Sequence, residues 1–243
     1  MPEAVSVRAV DGRDGRPDAV SSGQENSAVA VRGVRRVGSG RGGMTLKAGP
    51  TQERGLATYQ RLLDVAGVLL GEVGIERIST NMICARAGMT PPALYRYFKD
   101  KYAVLEALGR RLMDRQNAVL FAWLERTAPM GLAALGEATE ELLRATAAVT
   151  SAEPGAVWTL RALRAVPQLA HVRIASHRLV TDRMVEVYAP LLPRIPRDVL
   201  WRRMRISIEY GFATDEMLSE ETLIARNDLL RDAAAILRHA LTP

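Results

Sequence analysis

From Gln52 onward the apolar residues of this chain return every three or four positions, and that spacing constrains the fold more than any other feature of the sequence. Tyr59, Leu62, Leu63, Ala66, Leu70 and Val73 share one helix face, whereas a strand would need alternation in twos. Residues that start and stop helices punctuate the pattern. They predict a helix over about 52–73 ended by Gly74, and a short helix over 80–87 with Ser79 as N-cap and Gly88 as stop. A further short helix is expected over 91–97, with Thr90 before it and Pro91 in its first position, where the missing N–H costs nothing. Asp100 is the next capping candidate and opens a long helix to about Thr127, before Pro129. Prolines and glycines then cut helical segments at about 131–151, 155–166, 168–189, 197–217 and 220–241. The expected fold class is all-α.

The start of the chain is different. Residues 1–43 hold 8 of the 19 glycines, and the first aromatic residue is Tyr59, so residues 1–50 are expected to form a disordered N-terminal extension without a core. Met44 stands at the change in composition, which suggests that residues 1–43 are added by start-site choice. The run Gly38-Ser39-Gly40-Arg41-Gly42-Gly43 matches the dinucleotide pattern GxGxxG, but neither the strand before it nor the helix after it that such a site requires is present in the sequence.

Several function classes are excluded by what the chain lacks. No apolar run approaches the ~18–20 residues of a membrane span, and the polar start has no secretory h-region, so a cytoplasmic protein is expected. The single Cys84 allows no internal disulfide and no all-protein zinc site, and His171 and His177, six apart, do not share a helix face; no metal is expected. GxSxG, HExxH and P-loop patterns are absent, so neither enzymatic activity nor a cofactor is expected.

Charge is distributed unevenly. Residues 44–115 carry 11 Lys/Arg against 7 acids, while residues 116–243 carry 15 against 15. A polyanion would therefore be met by the middle of the chain. That is also where three consecutive helices, with a short Gly-containing turn between the second and third, make a helix-turn-helix unit, which seats its later helix in the DNA major groove. The runs Gly74-Ile75-Glu76-Arg77-Ile78-Ser79-Thr80, Ile83-Cys84-Ala85-Arg86-Ala87-Gly88-Met89-Thr90 and Ala93-Leu94-Tyr95-Arg96-Tyr97-Phe98-Lys99-Asp100-Lys101 resemble the DNA-binding domain of the TetR family over about residues 54–110. The resemblance implies a DNA-binding domain at 51–112 and a helical effector-binding and dimerisation domain at 113–243. It implies a homodimer joined through its last two helices, a double-stranded DNA operator, and release of a repressor by an unidentified small molecule.

The resemblance assigns DNA contact to Ser79, Thr90, Pro91, Ala93, Tyr95, Arg96, Tyr97 and Lys101. Chemistry supports several of these assignments. Lys101 opens a helix, where the macrodipole disfavours a cation but a phosphate would reverse the penalty. Leu94 and Phe98 are i, i+4 and face inward, which leaves Tyr95 and Arg96 turned elsewhere, within reach of phosphates or base edges. Tyr97 is as readily a core aromatic. Ser79 and Thr90 are explicable as caps or as phosphate donors. Pro91-Pro92 departs from the polar or small residues usual in the family, so fewer side chains can read bases there. Downstream, Trp123, Trp158, Met184 and Tyr188 are candidates for lining a ligand pocket, although at helical spacing they could equally be core. The last two segments carry apolar stripes, Trp201, Met204, Ile208 and Phe212 on one and Leu223, Leu230, Ala234, Leu237 and Leu241 on the other, that could pack within the chain or against a second copy.

Overall fold

The computed structural model describes residues 50–239, with side chains from Glu53 onward; they belong to a compact unit, Lys47–Pro243. The N-terminal extension with its glycine pattern and Met44 lies outside the described residues, as does Leu241. Ten α-helices occur among the described residues and no strand: α1 (Pro50–Arg77), α2 (Thr80–Ala87), α3 (Pro91–Tyr95), α4 (Lys101–Thr127), α5 (Leu132–Glu137), α6 (Thr139–Ala152), α7 (Ala156–Ala165), α8 (Ala170–Tyr188), α9 (Arg197–Glu220) and α10 (Arg226–His239). The fold is all-α, as the periodicity predicts, and no described helix is long and apolar enough to cross a membrane.

Most helix ends fall where the capping residues put them. Gly74 (φ 74°, ψ 177°) breaks α1, and only one further turn follows, to Arg77. The segment expected over 131–151 is instead two helices. Ala138 leaves helical geometry between α5 and α6, and its carbonyl accepts a hydrogen bond from the Trp123 indole of α4 at 3.2 Å, a tertiary contact that local sequence does not encode. The last helix begins at Arg226 rather than near 220. The Glu221 carboxylate bonds the Leu223 amide at 2.6 Å, a local alternative to the helical ladder, and leaves Leu223 93% exposed.

Three apolar clusters hold the helices together. The first joins α1–α3 and the first half of α4 to α7 and the start of α8 through residues such as Leu62, Leu70, Ile83, Leu94, Leu105, Leu112, Leu160 and Leu163. In the second, the far half of α4 packs on α5, α6, α8 and α9. The third seats α10 on α6 through Leu143, Leu230, Ala233 and Ala234. Helix α4 thus runs unbroken to Thr127, as its sequence predicts, through residues 112 and 113, where the family resemblance sets the boundary between domains, and contributes to both large clusters. Each buried leucine in them contributes roughly 1.5–3 kcal/mol.

Where α1 meets the turn between α6 and α7, two backbones touch without side chains between them. A Cβ on Gly155 would stand 2.1 Å from the Gly67 carbonyl oxygen, and one on Gly67 would stand 2.7 Å from the Pro154 carbonyl oxygen. Gly155 also has φ 72°. Beside this contact, the Arg111 guanidinium bridges Asp64 of α1 (2.7 Å) and the buried Glu153 (2.5 Å), which also pairs with Arg115. Gly155→Ala combines a left-handed backbone with a backbone clash and is expected to cost about 2–4 kcal/mol. Urea unfolding monitored by circular dichroism measures it, and a loss below about 1 kcal/mol would show that the contact gives way freely.

Candidate functional site

The helix-turn-helix unit is built from caps and a buried seam. Ser79 Oγ accepts from the Met82 amide at 3.3 Å to start α2. Gly88, in left-handed geometry (φ 65°), ends it and turns the chain toward α3, with the Met89 amide bonded to the Cys84 carbonyl at 2.9 Å. Thr90 occupies the N-cap of α3 but makes no side-chain capping bond; its carbonyl accepts from Ala93 and Leu94, and its exposed hydroxyl is left to solvent. Asp100 caps α4 by accepting from the Ala103 amide at 2.8 Å.

Leu94 and Phe98 are buried against Ile83, Cys84 and Ala87, which sets the rotation of α3. Pro91, Pro92, Tyr95 and Arg96 consequently face solvent, and Ala93 is half-buried. Tyr95 is 51% exposed, and its hydroxyl lies 3.3 Å from Thr80 Oγ1 at the start of α2. Thr80 went unsuspected from sequence, because only the crossing of two helices brings it to Tyr95. Helix α3 ends at Tyr95 rather than Tyr97, since the Tyr97 amide bonds to the Leu94 carbonyl three residues back. Tyr97 is half-buried, 6.2 Å by ring centroid from Tyr59 and 6.5 Å from Phe98, so the geometry favours its core role.

Lys101 is half-buried in the first turn of α4. Its ammonium donates to the Ile75 carbonyl at 3.3 Å and lies 5.5 Å from the Tyr102 ring centroid. The carbonyl offsets the unfavourable helix dipole, and two of the three N–H donors remain for another acceptor. Arg86 is committed to Glu72 through two bonds of 3.1 and 2.7 Å, which hold that carboxyl below its usual range. Arg96 and Lys99, by contrast, are exposed and have no ion pair or hydrogen bond among the described residues. Cys84 is buried, and desolvation pushes its thiol up, away from the reactive thiolate.

A second feature lies in the C-terminal half: a cavity of about 80 Å³ between α4, α6, α8, α9 and α10. Three of the four pocket candidates, Trp123, Met184 and Tyr188, line it. Trp158 does not; it packs beside Gly74, with the Arg161 guanidinium 4.8 Å from its ring centroid. The carboxyl of Asp215 enters this largely apolar cavity. Its Oδ2 accepts from Thr150 Oγ1 (2.5 Å) and Gln116 Nε2 (3.1 Å), and burial pushes it up to about 6 despite those bonds. Neither Asp215 nor Gln116 was singled out from sequence, although both interrupt apolar stripes: Asp215 follows Met204, Ile208 and Phe212, and Gln116 falls between Leu112 and Leu120. A polar residue in line with a core face is the signal that could have found them. No cluster of potential metal ligands occurs among the described residues.

The apolar stripes of the last two helices point mainly into this chain. Met204, Ile208, Leu230 and Ala234 are buried, while Ile206, Met217 and Ile236 remain exposed.

Residues 62–108 match the model of the bacterial regulatory proteins of the tetR family. Among curated proteins, the tetracycline repressor protein class A from transposon 1721 of Escherichia coli is 37% identical over 49 residues, 20% of this chain and 23% of that protein. The class C tetracycline repressor protein of Escherichia coli is 42% identical over 45 residues, covering 18% and 20% respectively. The matched segment thus spans less than a quarter of these relatives' own lengths. A transcriptional regulator of the TetR/AcrR family from Thermobifida fusca YX-ER1 superposes with a TM-score of 0.54 at 19% identity, covering 77% of this chain and all of that one, which extends the likeness of fold to the C-terminal helices. The likeness to the tetR family is therefore one of sequence over residues 62–108 and one of fold beyond them.

Two outcomes follow from the geometry. Ser79→Ala removes a cap bond and is expected to cost about 1 kcal/mol, whereas Thr90→Ala, with no such bond to lose, should stay within about 0.5 kcal/mol in the same urea titration. For Asp215 the folded value of about 6 stands above the ordinary 3.8, so the folded state binds the extra proton between them, and stability is lost as pH rises through 6. Asp215→Asn should therefore gain roughly 2 kcal/mol relative to wild type between pH 4 and pH 8. Unfolding curves at the two pH values that run parallel would contradict this.

Proposed function

We propose that the protein is a DNA-binding transcriptional regulator that works as a homodimer, represses by occupying an operator, and is released when a small molecule enters the cavity. It acts in the cytoplasm as a binding protein rather than an enzyme, and without a cofactor. Residues 51–112 form the DNA-binding part and 113–243 the effector-binding and dimerisation part. The observation that carries this reading is the rotation of α3: Leu94 and Phe98 are anchored beneath it, while Tyr95 and Arg96 stand exposed beside unpaired Lys99, within a segment that matches a family of regulatory proteins.

In this reading Arg96 reads bases, with Pro91 and Ala93 bringing the start of α3 close to the groove. Tyr95, Thr90, Ser79 and Lys101 contact phosphates, and Tyr97 serves mainly to hold α3 in place. Two such units in a dimer would enter successive major grooves about 34 Å apart. Ile206 and Met217, eleven residues apart and so on one face of α9, together with Ile236 of α10, supply the exposed apolar surface for the partner copy.

Release requires the ligand-bound cavity to favour a different spacing of the two units. A continuous route supports this. Asp215 in the cavity is bonded to Thr150 of α6; one turn later comes Glu153, paired to α4, and then Pro154 and Gly155 against the α1 backbone. Displacing the end of α6 would push directly on α1.

DNase footprinting on the DNA flanking the coding region tests the function: discrete protection of a palindrome is expected, and diffuse coating would indicate a nonspecific adaptor instead. Lys101→Ala and Tyr95→Ala should weaken binding to all sequences alike; Lys101→Ala, which removes one cation from each protomer, should also shallow the log K against log salt slope by about 2, whereas loss of the uncharged Tyr95 leaves the slope nearly unchanged. Arg96→Ala should relax base preference. In fluorescence anisotropy titrations, an unchanged slope for Lys101→Ala or an undiminished affinity for Tyr95→Ala would remove that residue from the phosphate contacts. The Ile206→Glu/Met217→Glu double variant should sediment as a monomer; a variant that stays dimeric would place the interface elsewhere.

A further inference from the structure

We infer that the cavity selects an organic cation: an apolar body, aryl or alkyl, carrying one protonated primary or secondary amine that sits against Asp215. This rests on the proposal that the cavity is the ligand site and adds to it the chemistry of the guest.

Most of the wall is apolar, with the rings of Trp123, Tyr188 and Phe212 and the side chains of Met184 and Met204 among it, and among the described residues no lysine, arginine or histidine lines it. Asp215 supplies the only carboxyl group in the lining among the described residues. Its Oδ2 is occupied by Thr150 and Gln116, but its Oδ1 has no hydrogen bond or ion pair among the described residues. Gln116 is 2% exposed and directs its N–H donors to Thr150 and Asp215, which leaves its carbonyl oxygen buried without a donor. The Ser207 hydroxyl, also in the lining, is buried without a partner. The unmet demand of the cavity is therefore for hydrogen-bond donors and positive charge. Buried acceptors without donors are costly, and a buried carboxylate without a cation more so.

A protonated amine answers the free Asp215 oxygen, since an ammonium group donates up to three N–H bonds and cancels the charge of the carboxylate. A carboxylate guest would be repelled by Asp215. A neutral apolar guest would leave every one of these groups unsatisfied. The aromatic walls suit the apolar body and add attraction for a cation lying over a ring face.

The charged and titratable groups around Asp215 agree. Burial is the main influence raising its carboxyl, Glu216 adds to it, and Thr150, Arg226 and Gln116 oppose it. His177, stacked on Phe212 at 4.1 Å, is held down to about 4 by burial and is uncharged at neutral pH. Burial likewise raises the Tyr188 phenol, which stays neutral. Arg226 acts on Asp215 only from a distance, and no positive side chain forms an ion pair with it among the described residues.

Isothermal titration of the full chain with 4-phenylbutylamine, 4-phenylbutanol and 4-phenylbutanoate compares a cation, a neutral molecule and an anion of one shape. At pH 7.5 the amine is expected to bind about tenfold or more tighter than the alcohol, with the carboxylate weakest, as one charge-assisted contact implies. In Asp215→Asn, which keeps the acceptor for Thr150 and Gln116, the advantage of the amine over the alcohol should fall to about threefold or less. If that variant does not fold, the wild-type ratio is read against pH: it should rise from pH 5 to pH 7.5 as the carboxyl ionises, and a flat ratio overturns the inference. So does an alcohol or carboxylate that binds as well as the amine, or a tenfold preference surviving in Asp215→Asn; in those cases the cavity is still a ligand site. If none of the three binds, the ligand-site reading fails and takes this inference with it.

Discussion

The backbone contact between α1 and the turn joining α6 to α7 is the constraint on which the arrangement depends. With Gly67 facing Pro154 and Gly155, no side chain separates the two backbones to act as a compressible spacer. The contact is flanked by Arg111, which holds Asp64 and Glu153 at once, and by Trp158, whose ring sits beside Gly74 at the break in α1. A packed interior transmits displacement rather than absorbing it. The helix-turn-helix unit is therefore mechanically continuous with α6, and through Thr150 with the cavity.

Helix α4 supplies a second connection of a different kind. Its N-terminal turn carries Lys101 and the Asp100 cap, its middle pairs with Glu153, and its far half lines the cavity through Gln116, Leu120 and Trp123. A single 27-residue helix thus contributes to the basic segment, to the joint and to the cavity. Its first residue is already engaged by another element. In the free protein the Lys101 ammonium is held by the Ile75 carbonyl, so a phosphate would either share it or draw it away.

The cavity shows how polar groups placed on apolar faces can be left short of partners. Asp215, Gln116 and Ser207 lie on stripes that are otherwise core, and the structure satisfies them only in part. Elsewhere a carboxyl finds its partners within the chain: Glu209 gathers Arg164, Arg173, Arg205 and His177, and those partners overcome burial to hold its carboxyl down to about 2. The contrast is chemical. Glu209 has its cations within the chain, and Asp215 has none in contact.

Local chemistry was enough to read the fold class, the caps at Ser79 and Asp100, the stop at Gly88 and the inward face of Leu94 and Phe98, because helix periodicity and capping depend on residues within a few positions of one another. The outward rotation of Tyr95 and Arg96 followed from the same spacing. What local chemistry could not supply was anything set by helices crossing: the break at Ala138 drawn by Trp123, the pairing of Tyr95 with Thr80, the hold of Ile75 on Lys101, and the removal of Trp158 from the cavity. Those outcomes rest on contacts between residues 15 to 26 positions apart or more. Asp215 and Gln116, 99 positions apart, became a site only when α4 and α9 were packed side by side, since a polar residue on an apolar stripe declares an exception without saying which partner it will meet.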